Sequence, residues 1–63
     1  MTADEMKAWR QRTGLSQAKA AQMIGCGRRS WQVWEAGERE IPRYIELALR
    51  EAERIVEAQR WSR

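Results

Sequence analysis

The chain has no histidine and no phenylalanine, and only one cysteine, Cys26, and one proline, Pro42, among its 63 residues. A lone thiol cannot close an internal disulfide, and without histidine no set of soft ligands remains to hold a structural metal. The two common ways of reinforcing a small domain are therefore excluded, although a chain of this length buries only about 60% of the surface it exposes when unfolded. The same scarcity removes catalytic candidates. There is no nucleophile paired with a base and no glycine-rich phosphate loop, so no enzyme activity, cofactor or metal is expected and function must reside in binding. No apolar run approaches the roughly 18 residues that cross a membrane, and Asp4 and Glu5 interrupt the order of a signal peptide. These features imply a single-domain, cytoplasmic protein with a reduced thiol and no membrane partner.

Twelve Lys and Arg stand against nine Asp and Glu, a net charge of +3. Over residues 44–63 the charges cancel: Arg50, Arg54, Arg60 and Arg63 face Glu46, Glu51, Glu53 and Glu57. The excess lies in the first two thirds, a modest basic bias of the kind that suits nucleic acid.

Local signals predict helices throughout. Thr2 followed by Glu5 forms a capping box, so a first helix starts at Ala3 and runs to about Thr13, with Gly14 as the left-handed stop and Met6 and Trp9 facing the core. Ser16 caps a second helix whose apolar stripe, Ala20, Ala21 and Ile24, is made largely of small residues that permit a close helix crossing. Gly25 ends it. A third helix begins at Arg28, so the connection Gly25 to Gly27 has the length of a helix-turn-helix spanning about residues 16–36. Projection of this third helix at 100 degrees per residue separates two faces. Arg28, Gln32, Ala36, Arg29 and Val33 fall within roughly 140 degrees, whereas Ser30, Trp34, Trp31 and Glu35 occupy the opposite arc. Two indoles bury far more apolar area than so short a helix can leave in water, so Trp31 and Trp34 are expected inside and Arg28, Arg29, Gln32 and Val33 outside. Arginine bridges guanine O6 and N7, glutamine bridges adenine N6 and N7, and valine packs on a thymine methyl, so the outward set is a candidate base reader in a major groove. Solvated surface side chains are the plainer reading of the same face.

The chain resembles the Cro and lambda-repressor (XRE-type) helix-turn-helix family on Arg10; on Gly14, Leu15, Ser16 and Gln17; on Ile24, Gly25, Cys26 and Gly27; and on Trp34, Glu35, Ala36 and Gly37. The resemblance covers about Met6 to Tyr44. It implies an all-α bundle of four or five helices with helix three in the major groove, Gln17 on a DNA phosphate and an inward ion pair between Arg10 and Glu35. Ser30 joins Gln17 as a phosphate donor. In the loop after helix three, Arg39 and Arg43 are candidates for phosphate or minor-groove contact, against which stand Glu38 and Glu40. The sequence departs from the family pattern in three places. Gly27 replaces the usual Ser or Thr cap, Lys19 replaces a frequent Glu, and Trp31 fills a slot that is ordinarily Val or Ile.

A final helix over about residues 43–61 carries Tyr44, Ile45, Ala48, Leu49, Ala52, Ile55 and Val56 at spacings of three and four. Its first half is expected to cover helices one and three. Ile55, Val56 and Trp61 extend beyond what the core needs, so a two-fold homodimer through this helix is expected, reading an inverted repeat with half-sites about 10 to 10.5 bp apart. The implied function is a DNA-binding repressor acting by occupancy, autoregulated and without a small-molecule effector, as in phage or mobile-element regulators, anti-CRISPR-associated repressors among them. An antitoxin whose last helix also binds a toxin, and a single-stranded RNA binder with exposed tryptophans, are the alternatives.

Overall fold

Each helix boundary is written in short-range hydrogen bonds. In the computed structural model, which describes residues 1–61 with side chains through Gln59, the helices are α1 (Ala3–Thr13), α2 (Gln17–Ile24), α3 (Arg28–Glu35) and α4 (Arg43–Trp61). The architecture is all-α, with no strand among the described residues. At the start of α1, Thr2 Oγ1 accepts from the Glu5 amide at 3.1 Å while the Thr2 amide donates to Glu5 Oε1 at 2.8 Å. Two of the four orphan amides at the helix start are thereby satisfied. Gly14, at φ 74°, closes α1 by donating to the carbonyls of Arg10 and Gln11, and the Leu15 amide also reaches back to Arg10. The pattern repeats in α2. Ser16 Oγ accepts from the Lys19 amide, Gly25 adopts φ 80°, and the Cys26 amide returns to Ala21. Leu15 and Cys26 are both half-buried against the core, the apolar contact that accompanies such helix ends.

The core is formed by Met6 and Trp9 of α1, Ala20 and Ala21 of α2, Trp31 of α3, Ile41, and Ile45, Leu49 and Ala52 of α4. Trp31, the oversized residue for its slot, is fully buried. It shares the core with the small side chains of Ala20 and Ala21, and α2 and α3 are in contact. Trp31 meets Trp9 with ring centroids 5.9 Å apart at an interplanar angle of 48°, within the range where tilted aromatic pairs attract. The Trp9 indole donates to the Leu49 carbonyl at 3.1 Å, tying α1 to α4.

Three expectations are corrected by this packing. α4 lies against α1, as expected, and against α2 where helix three was expected. Its buried stripe runs through Ile45, Leu49 and Ala52, so Tyr44, one residue off that stripe, is rotated about 100 degrees away and is 67% exposed. Trp34 is half-buried at the edge of the core and not inside it.

Because Leu49 is fully buried at the junction of α4 with the core, Leu49→Ala is expected to destabilise the domain by about 2–5 kcal/mol. Ile55→Ala, at a site 45% exposed, is expected to change stability by no more than about 0.5 kcal/mol. Urea unfolding of the two variants checks the ranking.

Candidate nucleic-acid interface

The orientation of α3 is set from below by one carboxylate. Arg10 Nε and Nη2 donate to Glu35 Oε2 and Oε1 at 3.0 and 2.8 Å, a two-pronged pair between α1 and α3. Arg10 Nη1 also donates to the Leu15 carbonyl at 3.3 Å, which adds the α1–α2 turn to the cluster. The Trp31 indole, one helical turn before Glu35, donates to Glu35 Oε2 at 2.6 Å. The Glu35 side chain is only 7% exposed, and the Arg10 guanidinium holds its carboxyl below the usual carboxylate value, with the Trp31 indole and the Gln17 amide lowering it further against the cost of burial. Gln17, expected on a phosphate, is half-buried at the first position of α2.

With Trp31 and Glu35 anchored, the opposite face of α3 is turned outward. Arg28, Arg29 and Gln32 are exposed, as is Ser30. Val33 is half-buried at the margin of this face. Arg39 and Arg43 are also exposed, Arg39 in the connection after α3 and Arg43 at the first position of α4. The Glu46 carboxyl is lowered chiefly by the N-terminal ammonium 3.1 Å away, with Arg50 and then Arg43 adding smaller effects, whereas no hydrogen bond or ion pair engages the guanidinium groups of Arg28, Arg29 or Arg39 among the described residues. Three other arginines are paired: Arg12 with Glu53 at 2.8 Å, Arg50 with Glu46 at 3.0 Å and Arg54 with Glu51 at 3.4 Å. Among the exposed cations outside any ion pair, Arg28 and Arg29 lie on α3 and Arg39 on the connection that follows it, while Lys7 and Lys19 lie on α1 and α2.

On α4, Ile55 lies on an exposed stripe with Tyr44 and Leu47. Val56 is half-buried and lines a shallow groove toward α2 with Leu15, Lys19, Gln22 and Met23. The Trp61 side chain falls outside the described residues. Cys26, half-buried beside the turn, has its thiol pushed up by burial and is therefore protonated at neutral pH.

One feature of this region was not anticipated from sequence, the Trp31 to Glu35 bond, although their four-residue spacing, which places both on one helix face, could have signalled it.

A family model described as a helix-turn-helix domain matches residues 3–58, from the start of α1 into the last turns of α4. No curated protein and no solved structure matches the chain.

The depressed Glu35 carboxyl makes stability pH-dependent. A group whose folded pKa lies below its unfolded value contributes stability that is complete above the unfolded value, here about 4.5, and is lost as pH falls through the folded value. Glu35→Gln is expected to cost about 1.5–3 kcal/mol near pH 7, the range for hydrogen bonds to charged groups. The gap between variant and wild type should narrow as pH drops below 4.5. Urea melts of both proteins at pH 7 and pH 3 measure that convergence.

Proposed function

The chain belongs to the helix-turn-helix domain family, of the Cro-like type, and from this premise we propose that it is a sequence-specific, double-stranded-DNA-binding transcriptional repressor. The single observation that carries the reading is the division of α3 into a locked face and a free one. Trp31 and Glu35 are spent on the protein, while Arg28, Arg29 and Gln32 are exposed. An α-helix is about 10–12 Å across with its side chains, and the major groove is about 12 Å wide. A helix seated there brings Arg28 and Gln32 to base edges, with Arg29 and Val33 alongside. Arg39 and Arg43 follow on the same side of the chain as phosphate ligands, and Gln17 and Ser30 supply neutral donors. Regulation follows from occupancy: a protein bound over a promoter excludes polymerase.

The operator is an inverted repeat read by a homodimer. Tyr44, Leu47 and Ile55 are all exposed and project within roughly 80 degrees of one another on α4, an exposed apolar face of the kind that marks an interface. Glu51 lies within that arc between Leu47 and Ile55, and Arg54 about 20 degrees beyond it. In an antiparallel pairing about a two-fold axis near Glu51, Leu47 of one copy meets Ile55 of the other, and each Arg54 lies within a turn of the opposite Glu51. The two Glu51 carboxylates meet at the axis, each with an opposite Arg54 within a turn, so the apolar contacts of Leu47 and Ile55 carry the association.

Selection from random duplex DNA supplies the operator against which variants are measured. The double variant Arg28→Ala with Gln32→Ala is expected to lose preference for the selected sequence while keeping helicity and melting temperature unchanged. Retained preference would overturn the assignment of α3. Separately, Leu47→Glu is expected to sediment as a monomer with unchanged ellipticity, and a variant that remained dimeric would remove α4 as the interface. With about eight to ten phosphates contacted by the dimer, the wild-type log-log salt slope is expected at about −7 to −9.

A further inference from the structure

The helix proposed to enter the groove and the helix proposed to form the dimer have little direct contact; α1 and α2 each pack against both and carry the connection. α1 does so through three residues of its second half. The Trp9 ring lies against Trp31 of α3, and its indole N–H donates to the Leu49 carbonyl of α4. Arg10 and Arg12, two residues apart, project about 160 degrees from one another, on nearly opposite sides of α1. Arg10 takes Glu35 of α3 in a two-pronged pair. Arg12 takes Glu53 of α4 in another, with Nε donating to Oε2 at 3.0 Å and Nη2 to Oε1 at 2.8 Å. The Glu53 side chain is only 24% exposed, and the Arg12 guanidinium holds its carboxyl below the usual carboxylate value. Leu49 and Glu53 are about one helical turn apart, so α1 grips α4 at two points along its axis and fixes its direction as well as its position. Beyond Ala52, the last buried residue of α4 among those described, the space toward α2 opens into a groove of about 310 Å³ lined by Val56. The tie to Arg12 stands where apolar packing thins out.

We propose that Arg12 and Glu53 are positioning residues for operator recognition: they set the angle between α3 and α4, and through it the spacing of the half-sites. The inference rests on the dimeric DNA-binding reading above and deepens it. In that dimer the two reading helices enter successive turns of the major groove, about 34 Å apart, so each lies about 17 Å from the two-fold axis. Tilting α4 by about 10 degrees within its protomer displaces α3 by about 3 Å at that radius. Symmetry doubles the displacement to about 6 Å, close to two base pairs at about 3.4 Å each. A small rotation of α4 is thus a large change of register on the duplex, and a two-pronged pair resists it because both prongs must stay aligned. Neither residue belongs to the proposed contact surfaces. Glu53 projects at least about 120 degrees from Tyr44, Leu47 and Ile55 on α4, and α1 supplies none of the proposed DNA ligands.

The experiment uses the full chain and the operator found by selection, together with duplexes whose half-sites are moved one base pair closer or farther apart. The wild type is expected to prefer the selected spacing. In Arg12→Ala and in Glu53→Ala that preference is expected to fall by about tenfold, because a dimer loses two exposed ion pairs that each support a factor of about three. The charge-swapped double variant, Arg12→Glu with Glu53→Arg, is expected to recover most of it. In a Leu47→Glu background, where each copy binds alone, Arg12→Ala is expected to leave affinity for a single half-site unchanged. The positioning role is overturned if either single variant keeps the wild-type spacing preference, or if both lose melting temperature and affinity for every spacing alike, the mark of a purely structural pair. It is also overturned if Arg12→Ala weakens all spacings equally and lowers the salt slope while Glu53→Ala does not, which would make Arg12 a phosphate ligand. If the wild type is monomeric on DNA or has no preferred spacing, the dimeric reading fails and the positioning role with it. If it requires one spacing that both variants share, the dimer stands and only the positioning role falls.

Discussion

The Glu35 carboxylate is the constraint from which the rest of the structure follows. Removing a carboxylate from water is costly unless its oxygens are met by well-placed donors, and here they are met by the two prongs of Arg10 and by the Trp31 indole. These donors come from α1 and from α3 itself. One charged group thus joins two helices, and Arg10 ties the α1–α2 turn to it through the Leu15 carbonyl. It also sets the rotation of α3 about its own axis, because Glu35 and Trp31 cannot both keep these bonds if the helix turns. At 100 degrees per residue, the positions of Arg28, Arg29 and Gln32 follow once those of Trp31 and Glu35 are set.

Rigidity at α3 does not originate within α3. A helix of eight residues is well below the roughly 12–15 that give even marginal helicity in isolation, and Gly27 provides no side-chain cap at its start. The buried Trp31, its ring against Trp9, and the ion pair beneath supply what local propensity lacks. The exposed face is consequently free of structural duty. Polar and charged residues can vary there without loss of core packing, and this separation lets one scaffold present different sets of reading side chains.

Sequence reasoning reached furthest where physical causes are local. Thr2 with Glu5, Ser16, Gly14 and Gly25 act within a few residues, and the ends of α1 and α2 fall where those residues place them. The two faces of α3 were legible because two indoles dominate its apolar area. The neighbours of α4 were not. Its stripe specifies which of its residues are buried but not against what, and the small side chains of α2 accept it as readily as a larger surface would. Tyr44 was misplaced because spacings of three and four from Leu47 and Ala48 are shared by two adjacent stripes, of which the Ile45, Leu49 and Ala52 stripe is the one buried. Trp34 lies at the boundary between the faces of α3, where a projection cannot decide whether the surrounding chain covers an indole. That depends on the connection after Gly37, whose path is set by long-range contacts such as the burial of Ile41.

The arginines at the start of α3 bear on function through their cost. Cations near a helix N-terminus oppose the macrodipole, and Arg28 and Arg29 occupy its first two positions with no carboxylate to offset the penalty. By contrast, α1 carries Asp4 and Glu5 in its first turn and Arg10 and Arg12 in its last, the arrangement that the dipole favours. The chain therefore follows the electrostatic rule in its supporting helix and breaks it in the helix whose outer face is unspent. An anion brought to the start of α3 reverses the sign of the penalty, because it is attracted by both guanidinium groups and by the free amides that Gly27 leaves uncapped. Duplex DNA carries such anions along both strands, so binding in the manner proposed above would turn an arrangement unfavourable in the free protein into a favourable one.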